Sequence, residues 1–86
     1  MISKTVVLTA PNGMHARPAG ELVKLVKTLD SAITLATEVK SVKASSMLGI
    51  LSLGLKSGAE VTVTVEGGAE QANLEAVVAF IAQISE

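Results

Sequence analysis

Glu60-Val61-Thr62-Val63-Thr64-Val65-Glu66 alternates apolar and polar residues without a break. Successive side chains of a β-strand point to opposite faces, so Val61, Val63 and Val65 share one side and Thr62 and Thr64 the other. A strand of this kind belongs in a sheet with one face buried and one in water, the usual pattern of antiparallel sheets. Downstream, Gly67-Gly68 closes the strand. A helix over about residues 69–85 follows, with Leu74, Val77, Val78, Ile81 and Ile84 on one stripe and Glu70 near the positive end of its dipole. Upstream, the segment from Ser46 to Gly54 reads as a brief helix, with Ser46 as N-cap and Gly54 as stop. Residues 32–37 set Ile33 and Leu35 on one face of a second strand, and residues 40–44 form a short third with Val42 inward. Glu38-Val39 stands between them where a tight hairpin favours Asn-Gly, which predicts a longer or irregular turn. A helix over about residues 16–28 buries Leu22, Val23, Val26 and Leu29, with Lys27 toward its negative end. Residues 4–9 read as the first strand and run into the turn Ala10-Pro11-Asn12-Gly13. The order is βαββαβα, an α+β fold with one antiparallel sheet covered on one face by helices, in one domain over residues 1–86.

Composition narrows the function. Of the 86 residues 49% are hydrophobic, enough for a core, but only Phe80 is aromatic and there is no cysteine. A chain of this length hides only about 60% of its unfolded surface, so it folds with a narrow margin. Without cysteine there are no disulfides, thiolate metal sites or thiol nucleophiles. One histidine cannot build a His-rich metal site, and neither a metal nor a cofactor is expected. Seven basic residues against eight acidic ones leave a net charge of −1, which with the lack of stacking rings argues against nucleic acid. The start of the chain lacks the pattern of a signal peptide, and the longest strongly apolar stretch, residues 76–82, is too short to cross a bilayer. The expectation is a cytoplasmic monomer with no membrane insertion.

The lone histidine, His15, falls just before the first helix, after Asn12-Gly13 and two residues from Arg17-Pro18. A helix N-terminus presents backbone N–H groups and partial positive charge, which together suit a phosphate. The same field favours a neutral imidazole, which keeps a lone pair for attack on phosphorus. The guanidinium of Arg17, planar and always charged, suits the oxygens of a transferring phosphoryl group. Spacing specifies no carboxylate pair and no Ser-His-Asp arrangement, so a self-contained hydrolase lacks its second catalytic group. Spacing alone also leaves open that His15 is a tolerated surface residue beside a helix cap.

Gly13-Met14-His15-Ala16-Arg17-Pro18-Ala19 closely resembles the active-site motif of the HPr family, the histidine phosphocarriers of the bacterial phosphotransferase system. Ser46-Met47-Leu48-Gly49-Ile50-Leu51-Ser52-Leu53-Gly54 resembles that family's second signature, around its regulatory serine. Their separation, the chain length and the element order match as well, so the resemblance spans essentially the whole chain. It implies an open-faced β-sandwich with three helices on one side of four antiparallel strands. It implies that His15 accepts a phosphoryl group on Nδ1 from phospho-enzyme I, which draws it from phosphoenolpyruvate, and passes it to an enzyme IIA domain of a sugar permease. The N–H groups of Ala16 and Arg17 would hold the phosphate. Ser46 would be a regulatory phosphosite, met in some members by an HPr kinase/phosphorylase and read by a transcription factor. Gly20, Lys24, Met47, Leu48 and Leu51 would form the docking patch.

Departures from the family pattern are local. Ser45 stands where a basic residue is common, Gly20 replaces a small alanine or threonine, Glu38-Val39 replaces a frequent Asn-Gly, and aromatics are nearly absent. They leave room for a carrier dedicated to one branch, such as a fructose, nitrogen-related or dihydroxyacetone system. A regulatory binding module working through phospho-Ser46 is the other reading; His15 argues against binding as the sole role.

Overall fold

The computed structural model describes residues 1–84. It contains β1 (Ile2–Val7), α1 (Ala16–Lys27), β2 (Ala32–Ala36), β3 (Ser41–Lys43), α2 (Met47–Ser52), β4 (Glu60–Glu66) and α3 (Glu70–Gln83), in the expected order. The strands form one sheet in the order β1-β4-β2-β3, with all neighbours antiparallel. The alternation of β4 separates its two faces: Val61, Val63 and Val65 are fully buried, while Thr62 and Thr64 lie on the opposite side. Val65 is flanked by Ile2 and Ile33, and Val63 by Lys4 and Leu35. Onto this face pack Leu22 and Val26 of α1, Ile50 of α2, and Leu74, Val77 and Ile81 of α3, in one cluster. Register places Ser3, Thr5 and Thr34 beside Thr62 and Thr64 on the uncovered face, where the Thr5 and Thr62 hydroxyls are 2.9 Å apart. The architecture is an open-faced sandwich, three helices on one side of a four-stranded antiparallel sheet.

Element boundaries follow partners more than propensity. β1 runs over Ile2–Val7 instead of residues 4–9, because its ladder with β4 begins at Ile2↔Val65 and ends at Val7↔Glu60. Leu8 then turns inward and is buried, bonded to the 58–59 turn through Leu8 N–H to Ala59 O (2.8 Å) and Gly58 N–H to Leu8 O (2.7 Å). The β2–β3 connection is irregular but not long. Thr37 N–H donates to Lys40 O at 2.9 Å, and Thr37 Oγ1 accepts from Val39 N–H at 3.2 Å, so a hydroxyl closes the hairpin where Asn-Gly is missing. Val42 is half-buried against the core. The sequence-based end of α3 at Ser85 lies outside the described residues.

The N-terminus of α3 is fastened to the α1–β2 loop by polar groups. Asn73, buried, donates from Nδ2 to Asp30 Oδ1 and to Ser31 Oγ, each at 2.7 Å, and Ser31 Oγ donates to Gly67 O. Asp30 Oδ1 also accepts from Ala69 N–H at 3.2 Å, and Glu70 Oε2 from Gly67 N–H at 2.7 Å. Gly68 permits this approach: its φ is +62°, and a Cβ there would lie 2.5 Å from Asp30. The Asn73 side chain, then the Ala69 amide, holds the Asp30 carboxyl below its ordinary range. The Gly67 amide, then the Met1 amino group, does the same for Glu70.

Candidate functional site

The loop that carries His15 is locked before it reaches the helix. Gly13 adopts φ +69° and donates its N–H to Ala10 O at 3.0 Å. A Cβ on Gly13 would lie 2.3 Å from Leu55 O, and the next amide, Met14 N–H, donates to that same oxygen at 3.0 Å. Met14 is buried beside Leu55 in the core cluster. The chain therefore arrives at His15 with little freedom in direction.

His15 is the N-cap of α1, with extended backbone (φ −93°, ψ −172°). Its carbonyl accepts from Ala19 N–H at 3.1 Å, while its side chain makes no capping bond. Histidine is outside the set favoured at this position, where Ser, Thr, Asp or Asn would satisfy an amide and add about 1 kcal/mol. Its Nε2 is buried and, among the described residues, is the one buried side-chain nitrogen or oxygen without a hydrogen-bond partner. Leaving a polar atom in that state costs about 1–3 kcal/mol. Folding stability alone selects neither choice. Pro18 has no N–H, so the first-turn donors of α1 are the amides of Ala16 and Arg17, both exposed residues. An anion beside His15 would thus meet a helix N-terminus with two amides and a guanidinium.

Ser46 caps α2 as the sequence predicts, its Oγ accepting from Gly49 N–H at 3.1 Å, and Gly54 ends the helix at φ +62°. α2 cannot bury all its apolar residues. Ile50 enters the core, Leu51 and Leu53 are half-buried, Met47 is 38% exposed and Leu48 82%. Gly20, about 7.5 Å along α1 from His15, faces this patch: a Cβ at residue 20 would lie 3.9 Å from Met47 Cε. Lys24 is exposed a turn further on. His15 at the N-cap and Ala16, Arg17, Gly20 and Lys24 thus follow along the first turns of α1, and Met47 of α2 lies beside Gly20. Leu51 is half-buried, packed partly against the core. Sequence reasoning missed the support of the His15 loop by Met14 and Leu55; the Gly13 turn was its one visible signal. Among the described residues no group of His, Asp and Glu could hold a metal ion, and no helix is long and apolar enough to cross a membrane.

Fold and site define a class of protein: a small open-faced sandwich that presents one histidine at a helix N-terminus beside an exposed apolar patch. Comparison with known proteins makes the class specific. The family model for the PTS HPr component phosphorylation site matches residues 2–83. The chain is 39% identical over 84 residues to the phosphocarrier protein HPr of Vibrio cholerae, covering 98% of this chain and 99% of that one. It is 40% identical over 81 residues to that of Haemophilus influenzae, covering 94% and 95%. The crystal structure of a phosphocarrier protein HPr from Bacillus anthracis superposes with a TM-score of 0.88 at 34% identity, covering 93% and 95%. The chain belongs to the HPr family of phosphocarriers of the phosphotransferase system.

Proposed function

We propose that this protein carries a phosphoryl group on His15, taking it from phospho-enzyme I and delivering it to an enzyme IIA domain. The observation that supports this most is the His15 ring itself, held at a helix N-terminus with Nε2 buried and unpartnered. Nδ1 is then the nitrogen for the chemistry. Its lone pair attacks phosphorus as the donor's N–P bond breaks, and the second transfer repeats the step with His15 as leaving group. The amides of Ala16 and Arg17 and the Arg17 guanidinium meet the phosphoryl oxygens, stabilising charge without supplying a base that would activate water. Gly20, Lys24, Met47 and Leu48, with the edge of Leu51, receive both partners in turn, and thioether flexibility suits a surface that must fit two of them. A phosphate on Ser46 would add about two negative charges at a helix N-terminus beside this patch and slow transfer by repulsion, without refolding. The test is incubation of the protein with enzyme I, Mg²⁺ and phosphoenolpyruvate. An acid-labile phosphoryl group is expected on His15, and a His15→Ala variant that still accepts it would refute the reading.

A further inference from the structure

β3 parts from β2 early. Their ladder ends at Thr34↔Lys43, Ala44 N–H still reaches Ile33 O at 2.9 Å, and Ser46 N–H then turns back to Lys43 O at 3.1 Å as α2 begins. β2 itself continues to Ala32 beside β4, so a gap opens where β3 has left it. The C-terminal turn of α1 borders this gap, and the three elements together line a cavity of about 330 Å³. Ligand pockets run from about 300 to 1,000 Å³, so this one suits a small molecule.

The lining combines two kinds of surface. Val26 and Ile33 supply apolar wall, while Lys27 and Lys43 bring ammonium groups from different elements. Among the described residues no carboxylate lines the cavity, in a chain whose net charge is −1. Neither lysine forms an ion pair with a described residue, and the Thr34 and Ser45 hydroxyls in the same lining hold no hydrogen bond there. Ser31 is fixed between Asn73 and Gly67, and the neighbouring carboxylate, Asp30, is committed to Asn73 and Ala69 N–H. A helix C-terminus disfavours anions. Here, however, the Leu25 carbonyl already accepts from Thr28 N–H and Oγ1, and that of Val26 from Leu29 N–H.

We propose that this cavity binds a phosphate monoester with a compact apolar body. Two ammonium groups match the roughly two negative charges of such a phosphate. The two hydroxyls are spare donors for its oxygens, and Val26 and Ile33 receive the apolar part. The site is separate from the one at His15: Lys27 ends α1 and His15 caps its start, about 18 Å apart by helical rise. Ser45 immediately precedes the Ser46 cap, so an occupant also touches the entry to α2.

Titration of the full chain with phenyl phosphate, followed by amide chemical shifts, tests this. Saturable shifts are expected at residues 26–34 and 43–46 at about millimolar concentration. Inorganic phosphate and phenol should each bind at least about tenfold more weakly, since each lacks one half of the recognition. Lys27→Gln combined with Lys43→Gln, both at exposed positions, should weaken phenyl phosphate by more than about tenfold. Ser45→Glu, which sets a carboxylate between the lysines, should weaken it as well. Lys40→Gln removes the same charge at the far end of the β2–β3 hairpin and should leave the affinity unchanged. Circular dichroism spectra of all variants should overlay that of the wild type. Shifts absent or confined to residues 15–17, inorganic phosphate binding as tightly as phenyl phosphate, or an unchanged affinity in the double lysine variant would each overturn the proposal.

Discussion

At the scale of the residue, the unfavourable choices gather around His15. A weak N-cap and an orphaned ring nitrogen sit on a loop that Gly13, Met14 and Leu55 hold firmly. Local strain or unpaired polarity of this sort persists only where surrounding structure over-determines it. Arg17 should matter for transfer and little for folding, because it is exposed in a helix where alanine is at least as good a former. Arg17→Ala is expected to keep its thermal midpoint while losing about 10²-fold in the rate of phosphoryl acceptance, measured by rapid quench with phospho-enzyme I. Ser46 has a structural role that separates from its regulatory one. Ser46→Ala removes an N-cap bond and should lose about 1 kcal/mol, a drop of about 4–8 °C in Tm for a chain of this size. Ser46→Asp keeps a capping oxygen, so calorimetry should find it near wild type while transfer from enzyme I slows. The placement of His15 and Arg17 at the start of α1 and of Ser46 at the start of α2 was legible from sequence, because caps and turns act over a few neighbouring residues. The orphan Nε2 was not legible, since what covers a ring depends on which distant segments pack on it.

At the scale of the element, the two helices of the patch differ in what fixes them. α2 carries its own start and stop in Ser46 and Gly54, and its ends agree with the sequence reading. α1 contains Gly20 well inside it, with nothing in the fold that requires a glycine: its φ is ordinary, and a Cβ would meet only the end of Met47 at van der Waals distance. Gly20→Ala should therefore raise stability by about 1 kcal/mol, seen as a higher urea midpoint with an unchanged m-value. α3 is fastened differently, through carboxylates. Asp30 and Glu70 are held below the ordinary range by amides and side chains that contact them only in the folded chain. The unfolded chain binds protons first as the pH falls, so their stabilisation is complete above the ordinary carboxylate range and is lost as pH drops through their folded values. The stability of the wild type should thus fall as the pH drops below about 5, and Asp30→Asn with Glu70→Gln should flatten that limb in urea titrations read at each pH.

At the scale of the whole molecule, one buried sheet face collects all three helices, and the uncovered face keeps a row of hydroxyls. The proposed transfer site lies where α1 and α2 meet, with His15 at one end of α1 and the Lys27 cavity at the other. The sequence by itself determined the alternation of β4, the helical stripes, the caps of α2 and the constellation of Gly13, His15 and Arg17. Each of these is set by side-chain periodicity or by residues within a turn of one another. Only the tertiary structure decided where β1 begins, because a ladder extends as far as its partner strand reaches. It alone joined Asp30 to Asn73, which are 43 residues apart, since no local signal specifies a contact across that much chain. It also set Gly20 against Met47 and brought Lys27 and Lys43 to one cavity. Two lysines in different elements carry no joint meaning in sequence; they acquire one only where the end of a helix packs beside the end of a strand.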